Sequence, residues 1–276
     1  MRRIIAGVVV LLLAWPALAD DDKPKDKPKE PDKKTPAEQY QALVKEYTDA
    51  QQAFLKEYRE AKTQEDRQKV LKEKQPQPDK YAGKFIELAD ANPKDPVAID
   101  AIAWVLMNTF SFGPSNKDSP RAKAVALISR DHLQSDKLGI ACQMLGSRGY
   151  DKESETLLRT ILDKNPHKDV QGTACFSVAG MLKQHAERLP DAEAKEAEKL
   201  NKESEELFER VIEKYADVKG FRASLADEAK NQLFELRFLS KGKAAPEIEG
   251  EDLDGKQFKL SDYKGKVVLI DFWGNW

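Results

Sequence analysis

The chain has 276 residues and a formal net charge of −2, with 46 lysines and arginines against 48 aspartates and glutamates. This balance argues against a nucleic-acid-binding protein, because such a protein clusters basic residues on one surface. The two cysteines and three histidines fit neither a dense disulfide framework nor a metal site, so we expect no metal and no cofactor.

The N-terminus predicts a signal peptide over residues 1–19. A basic pair at 2–3 precedes the apolar run 4–13, and 17–19 read Ala-Leu-Ala, a small-residue cleavage site. The alternative is a membrane anchor, but the run has about a dozen apolar residues where a spanning helix needs about 20. We expect cleavage, no remaining membrane span, and a mature protein in the periplasm or outside the cell.

Residues 20–36 predict a disordered tether. They read DDDKPKDKPKEPDKKTP and offer no aliphatic side chain to a core. Such a segment cannot offset the entropy cost of its own ordering, and its prolines favour extended conformations. A specific binding role is the alternative.

Residues 37–241 show apolar residues at helical spacing between lysines, glutamates and glutamines, which predicts a helical region. A long, charged first helix should end at the Gln-Pro-Gln-Pro stretch of 75–78. A second helix, over 79–91, should stop at Asn92, because the residue before a proline is pushed out of the helical region. Three helical hairpins and a last helix should follow: 96–110 with 119–131, 135–147 with 151–164, 169–188 with 192–215, and then 222–239.

The helical region contains a repeat. Gly-Ile-Ala-Cys ends at Cys142 and Gly-Thr-Ala-Cys ends at Cys175, 33 residues later. The sequence between them, LGSRGYDKESETLLRTILDKNP (145–166), has small residues, a Gly-Tyr turn, an apolar second helix and an Asn-Pro stop. It resembles a tetratricopeptide repeat, which has a period of about 34 residues. The resemblance implies an α-solenoid of helical hairpins that could bind a peptide or protein partner.

The cysteines and histidines of the helical region allow several interpretations. Cys142 and Cys175 lie among small and apolar residues, which favours buried thiols. A structural disulfide across adjacent repeats and a redox pair are the alternatives. His132, His167 and His185 show no ligand spacing, so we expect ordinary surface or turn residues.

The hydrophobic period changes after residue 243. Asp254-Gly255 predicts a hairpin turn between two short strands. The stretch LSDYKG (260–265) predicts one helical turn that a glycine ends. The apolar run VVLIDF (267–272) predicts a strand buried on both faces.

Four short motifs follow one another in this last segment. They are AP (245–246), DLDGK (252–256), LSDYKGK (260–266) and VVLIDFWGNW (267–276). In this order they resemble the opening of the redoxin branch of the thioredoxin superfamily, the AhpC/TSA and TlpA/ResA-type proteins. In that branch a Cys-x-x-Cys motif follows the last tryptophan, so the resemblance implies that 244–276 is the incomplete β part of a thioredoxin-like α/β domain. The predicted fold class is mainly α, with this incomplete domain after the solenoid.

The resemblance also implies a chemistry. The complete protein would exchange thiols and disulfides with protein disulfides or a thiol redox partner, whereas the chain to Trp276 would be inactive. Asp271 matches the buried strand acid that moves a proton to or from the resolving cysteine, because a carboxyl in an apolar strand has a raised pKa. The alternative is a polar strand-end residue. Trp273 and Trp276 match the aromatic rim of the redox site, or are core residues.

Three functions therefore remain open. The first is the N-terminal fragment of an exported thioredoxin-like thiol–disulfide oxidoreductase. The second is an envelope scaffold for protein–protein interactions, built on helical repeats with a non-catalytic redoxin remnant. The third is a peroxiredoxin, which shares the first motifs but has a Pro-x-x-x-Thr-x-x-Cys loop where this chain has FWGNW (272–276).

Overall fold

The computed structural model describes residues 34–109, 117–220, 222–271 and 273–274. The predicted signal peptide (1–19) and most of the predicted tether (20–36) lie outside these residues. The described chain is mainly helical, as predicted, and its one sheet has two strands.

Ten α-helices occur in the described residues. They are α1 (Pro36–Glu60), α2 (Gln64–Lys74), α3 (Pro78–Ala91), α4 (Val97–Asn108), α5 (Pro120–Leu127), α6 (Gly139–Ser147), α7 (Lys152–Lys164), α8 (Lys168–Arg188), α9 (Ala194–Lys214) and α10 (Leu225–Phe234). Short π-helical turns extend α5 (Ile128–His132) and α10 (Glu235–Leu239). From α3 onward the predicted helices agree with these bounds to within a few residues.

The first helix was predicted to run unbroken to residue 74, and this prediction is wrong. The helix ends at Glu60, and Ala61 has an extended backbone. Thr63 then begins α2 as its N-cap, since its Oγ1 accepts a hydrogen bond from the backbone N–H of Asp66 at 3.1 Å. In an unbroken helix the N–H of Asp66 would bond to a carbonyl one turn earlier and would need no cap. The Thr-x-x-Asp cap therefore favours the start of a separate helix at this point.

Seven of the helices from α3 onward pack in two rows, and α9 contacts α8 and α10. In one row α4, α6, α8 and α10 contact each other in turn, and in the other α3, α5 and α7 do so. The two helices of each predicted hairpin are also in contact: α4 with α5, α6 with α7, and α8 with α9. The buried apolar side chains form one continuous cluster that runs through both rows.

Small residues set the distance between neighbouring helices. A Cβ added to Gly146 on α6 would lie 2.6 Å from the Cβ of Ser177 on α8. Such a distance does not occur between real Cβ atoms, so the two backbones can approach this closely only with glycine at 146. Gly149, at the turn into α7, has a φ of 94°, which other residues rarely adopt.

The C-terminal segment forms the predicted hairpin. Strand β1 (Glu249–Glu251) pairs antiparallel with β2 (Gln257–Lys259). Gly255, in the turn between them, has a φ of 77°, which the Asp-Gly signal requires. The predicted helical turn follows as a 3-10 turn (Leu260–Tyr263), and Gly265, with a φ of 83°, ends it.

The predicted strand over 267–272 is wrong for the residues described, 267–271. They have no regular secondary structure, and the side chains of Val267 and Leu269 are almost fully exposed. A strand needs a neighbour for its backbone N–H and C=O groups. In the described residues β1 and β2 pair only with each other.

Candidate functional site

A groove crosses the row of α6, α8 and α10, and we name it the α6–α8–α10 groove. It has a volume of about 430 Å³. Its apolar lining comes from all three helices and from α9: Met144, Phe176, Phe208 and Leu225. Gly180 of α8 also lines it, and a Cβ added there would meet nothing within 4 Å. The groove is therefore open and mainly apolar. It lies between helices of which two, α6 and α8, pack closely at Gly146.

Polar groups line the groove walls. Lys183 is buried, and its Nζ donates to Glu235 Oε2 at 2.5 Å and to Gln232 Oε1 at 3.0 Å. The positive charge of Lys183 is therefore neutralised by Glu235 of the same chain. Glu228 accepts hydrogen bonds from two backbone N–H groups, those of Arg222 at 2.8 Å and Ala223 at 3.3 Å.

Two further polar side chains, Gln184 and Glu187, line the groove. The Oε1 atom of Gln184 is buried and has no hydrogen-bond partner. Glu187, on the same helix, is exposed. Because the charge of Lys183 is neutralised by Glu235, the carboxylates of Glu187 and Glu228 give the groove lining a net negative charge. The groove offers surface and hydrogen-bond acceptors for binding, and its lining contains no cysteine.

Both cysteines are buried free thiols, which confirms the favoured interpretation over a disulfide. Burial raises the pKa of Cys142 to about 12 and the pKa of Cys175 to about 11. The Sγ of Cys175 donates to the carbonyl of Leu207 at 3.5 Å. Since the thiolate is the form that attacks disulfides, these residues are packing groups at neutral pH.

The three histidines differ from one another. The expectation of a surface or turn position is wrong for His132, which is 6% exposed at the end of the π-helical turn after α5. Burial there lowers the pKa of its imidazole. His185 stacks on Tyr150 with ring centroids 3.8 Å apart, and His167 is the exposed N-cap of α8. Within the described residues, no group of three or more potential metal ligands occurs.

The redoxin-like residues do not form a site in the described geometry. Asp271 is exposed, and Trp273 is 81% exposed. Trp276 lies outside the described residues. The proton-transfer role of Asp271 therefore stays a prediction for a chain in which an apolar sheet encloses it.

Comparison with known proteins gives short matches to one kind of enzyme. No family model matches the chain, and no solved structure matches it. The chain is 51% identical over 35 residues to the thiol-disulfide oxidoreductase ResA of Bacillus thuringiensis subsp. konkukian, a match of 13% of this chain and 20% of ResA. ResA of Bacillus subtilis is 50% identical over 38 residues (14% and 21%), and ResA of Geobacillus thermodenitrificans is 39% identical over 46 residues (17% and 26%).

These matches bear on a small part of each protein. The chain spans about a fifth to a quarter of the length of the curated relatives it matches. They support a relationship to thioredoxin-like oxidoreductases over a stretch about as long as the redoxin-like segment. None of the described helices is long and apolar enough to cross a bilayer.

The sequence did not reveal the α6–α8–α10 groove. Its lining comes from four helices, so its residues are spread from 143 to 232. The one signal that could have indicated it is the repeat itself, because equivalent helices of successive repeats line the same face of an array.

Proposed function

We propose that this chain is the N-terminal part of an exported thioredoxin-like thiol–disulfide oxidoreductase, with a helical arm ahead of the redox domain. The observation that carries the proposal is the 51% identity over 35 residues to ResA. The order of the four motifs between 245 and 276 agrees with it. The boundary between arm and redox domain, at 241–244, is part of the proposal.

The chemistry would come from a Cys-x-x-Cys motif after Trp276. One thiolate attacks a protein disulfide, the second cysteine resolves the mixed disulfide, and two electrons pass from the motif to the substrate. Asp271 would exchange a proton with the resolving cysteine. In that protein the run 267–272 would be a buried central strand. The exposure of the apolar side chains of 267–270 supports this role, because such side chains are normally covered in a complete domain.

Extending the chain tests the redox proposal. The reading frame should continue past Trp276 with Cys-x-x-Cys, and the extended protein should reduce a model protein disulfide. Asp271→Asn should lower that rate by about 100-fold. Asp254→Asn is the matched control, since Asp254 lies in the exposed hairpin turn and Asn-Gly suits that turn equally well. A frame that continues without cysteines would refute the proposal.

Export has its own test. We propose a periplasmic or secreted location, on the signal-peptide pattern of residues 1–19. Mass spectrometry of the protein from an expressing bacterium should give a mature N-terminus at Asp20. A cytoplasmic protein that retains residues 1–19 would overturn this part.

A second candidate function is protein–protein interaction by the helical arm, and the α6–α8–α10 groove favours it. We propose that α3–α10 form a solenoid of tetratricopeptide-like hairpins. The groove would then take an extended segment with apolar side chains, and the balance set by Glu187 and Glu228 favours a segment that also carries a basic residue.

Gly180→Leu tests this second function. The new side chain would start into the groove, because an added Cβ meets nothing within 4 Å there. Gly83→Leu, on the exposed face of α3, also has open space and is the matched control. A partner captured from an envelope extract should be lost with Gly180→Leu and kept with Gly83→Leu. Equal capture by both variants would exclude the groove as the binding surface.

A further inference from the structure

The α6–α8–α10 groove lies close to the place where the redoxin-like segment begins. Gln232 of α10 lines the groove, and Leu239 ends the π-helical turn that extends α10. At about 1.5 Å per residue, the helix axis covers about 10 Å between these two residues. The helix that forms one wall of the groove therefore leads directly to the connection with the redoxin-like segment.

That connection, residues 240–244, is short. The N–H of Lys243 donates to the carbonyl of Ser240 at 3.1 Å, and Gly242 has a φ of 83°, so most of the connection forms one tight turn. A connection of this length reaches at most about 20 Å from the end of the π-helical turn. The redoxin-like segment thus starts within about 30 Å of the groove.

The groove carries one glutamine on each helix of its row: Gln143 on α6, Gln184 on α8 and Gln232 on α10. All three are half-buried. A carboxamide can both donate and accept hydrogen bonds, so it suits the N–H and C=O groups of a main chain that belongs to no helix or sheet. The volume of about 430 Å³ is that of a ligand pocket, so it takes a few side chains of such a segment.

The charge of the lining selects a cation. Lys183 is the one cation among the described residues that line the groove, and Glu235 neutralises it. Glu187 and Glu228 therefore leave a negative charge, which attracts a lysine or arginine of the bound segment. Glu187 is exposed, so this attraction is modest and acts mainly on the choice of segment.

Segments around disulfides have the chemistry that the groove accepts. Cysteine is among the residue types most often buried in folded proteins, so a disulfide commonly lies among apolar side chains. In an incompletely folded protein these side chains and the main-chain groups beside them are exposed together. The groove lining contains no cysteine, so it is suited to hold such a segment and not to exchange its disulfide.

We propose that the α6–α8–α10 groove is the substrate-docking site of the redox domain. It holds an extended segment of an incompletely folded protein, with apolar side chains and one basic residue, while the disulfide of that protein reaches the Cys-x-x-Cys motif. This inference rests on the proposed redox function. About nine residues of an extended chain cover 30 Å. The groove forms and breaks no bond, but it raises the effective concentration of the disulfide near the motif to the order of millimolar.

Calorimetry on the 276-residue chain tests the docking step without the redox motif. The probe is a short peptide of alternating leucine and serine with one central lysine, and its match has glutamate in place of the lysine. The lysine peptide should bind at one site, at least about threefold tighter than the glutamate peptide. Glu187→Lys should reverse this preference, and Gly83→Leu, the control on α3, should keep it. No saturable binding, or equal binding of both peptides, overturns the proposal.

Kinetics of the extended protein test the coupling to the redox domain. One substrate is the lysine peptide lengthened by a cysteine in a mixed disulfide, and the reference is a small disulfide without a peptide. Gly180→Leu should lower kcat/KM for the peptide, relative to the small disulfide, at least about tenfold through a higher KM. Glu187→Lys, on an exposed position, should lower the same ratio about threefold, and Gly83→Leu should keep it.

The kinetic outcomes separate the two proposals. A ratio that neither Gly180→Leu nor Glu187→Lys changes would overturn the docking role and leave the redox function standing. An extended wild-type protein that reduces neither the peptide disulfide nor the small disulfide would overturn the redox function, and the docking role with it.

Discussion

The helical region and the run 267–270 contain the same kinds of apolar side chain and bury them to opposite extents. Leu158 of α7 is fully buried, whereas Leu269 is 93% exposed. A helix in this chain finds a partner in the next helix or the one after it, so a short stretch of sequence completes its own core. A strand buried on both faces needs other strands and covering helices, and within the described residues the run 267–271 pairs with no strand.

Hydrogen exchange gives the largest expected contrast between the two regions. Amides in the middle of α8 should exchange only on global unfolding, whereas amides of 267–271 should exchange at nearly the rate of an unstructured peptide. The difference should correspond to at least about 5 kcal/mol of opening free energy. Mass spectrometry with peptide resolution measures it. Exchange in 267–271 as slow as in α8 would contradict the contrast.

A matched pair of leucine substitutions should show the same contrast in stability. Leu158→Ala should lower the free energy of unfolding by about 2–5 kcal/mol, because it leaves a cavity in the core. Leu269→Ala should change it by less than about 0.5 kcal/mol. Urea unfolding followed by circular dichroism reports both. Similar losses would mean that Leu269 packs against the helical region.

Two glycines on the α6–α8–α10 groove sharpen the comparison within the helical region. Gly146→Ala should cost about 1–3 kcal/mol, because its Cβ would collide with Ser177 and push α6 from α8. Gly180→Ala meets nothing within 4 Å and should be neutral or stabilise by up to about 1 kcal/mol, since alanine favours the helix. Thermal unfolding should therefore give a lower Tm for Gly146→Ala and an equal or higher Tm for Gly180→Ala.

The smallest expected effect concerns Glu155, which is 5% exposed. Burial alone would raise the pKa of its carboxyl, but hydrogen bonds from Arg159, Lys152 and Tyr150 outweigh burial and hold the pKa below its usual range. The stability from Glu155 is therefore fully present above the usual glutamate pKa of about 4.3 and is lost as the pH falls through the lower, folded value.

Glu155→Gln should accordingly cost about 1 kcal/mol at pH 7 and less as the pH drops below about 4. Denaturant unfolding at several pH values measures the change. Exposed Glu213→Gln serves as control and should have little effect at any pH. A cost for Glu155→Gln that stays constant down to pH 3 would show that its charge contributes nothing.

Local signals predicted most of the helices and both turns. Asn165 with the following proline correctly ended α7 at Lys164, and Asp254-Gly255 correctly marked the hairpin. Each of these features depends on a few neighbouring residues whose backbone preferences are strong. The Thr63 cap belongs to the same class, because Thr63 and Asp66 form it within three residues.

Tertiary features could not be predicted in this way. The side chain of Asn165 also donates to the carbonyls of Leu133 and Ser135, both at 2.8 Å, and its spacing from them carries no signal in the sequence. The burial of His132 likewise depends on elements distant along the chain. The strand prediction for 267–272 failed for a different reason. The residues of this run favour a strand, but in the described residues no neighbouring strand pairs with them.

The pairing of each helix with a near neighbour in sequence has a consequence for how the protein forms. Contacts between residues a few tens of positions apart close short loops, and topologies of this kind fold in microseconds to milliseconds. A chain that is synthesised from its N-terminus would thus complete α3–α10 while later residues are still being added.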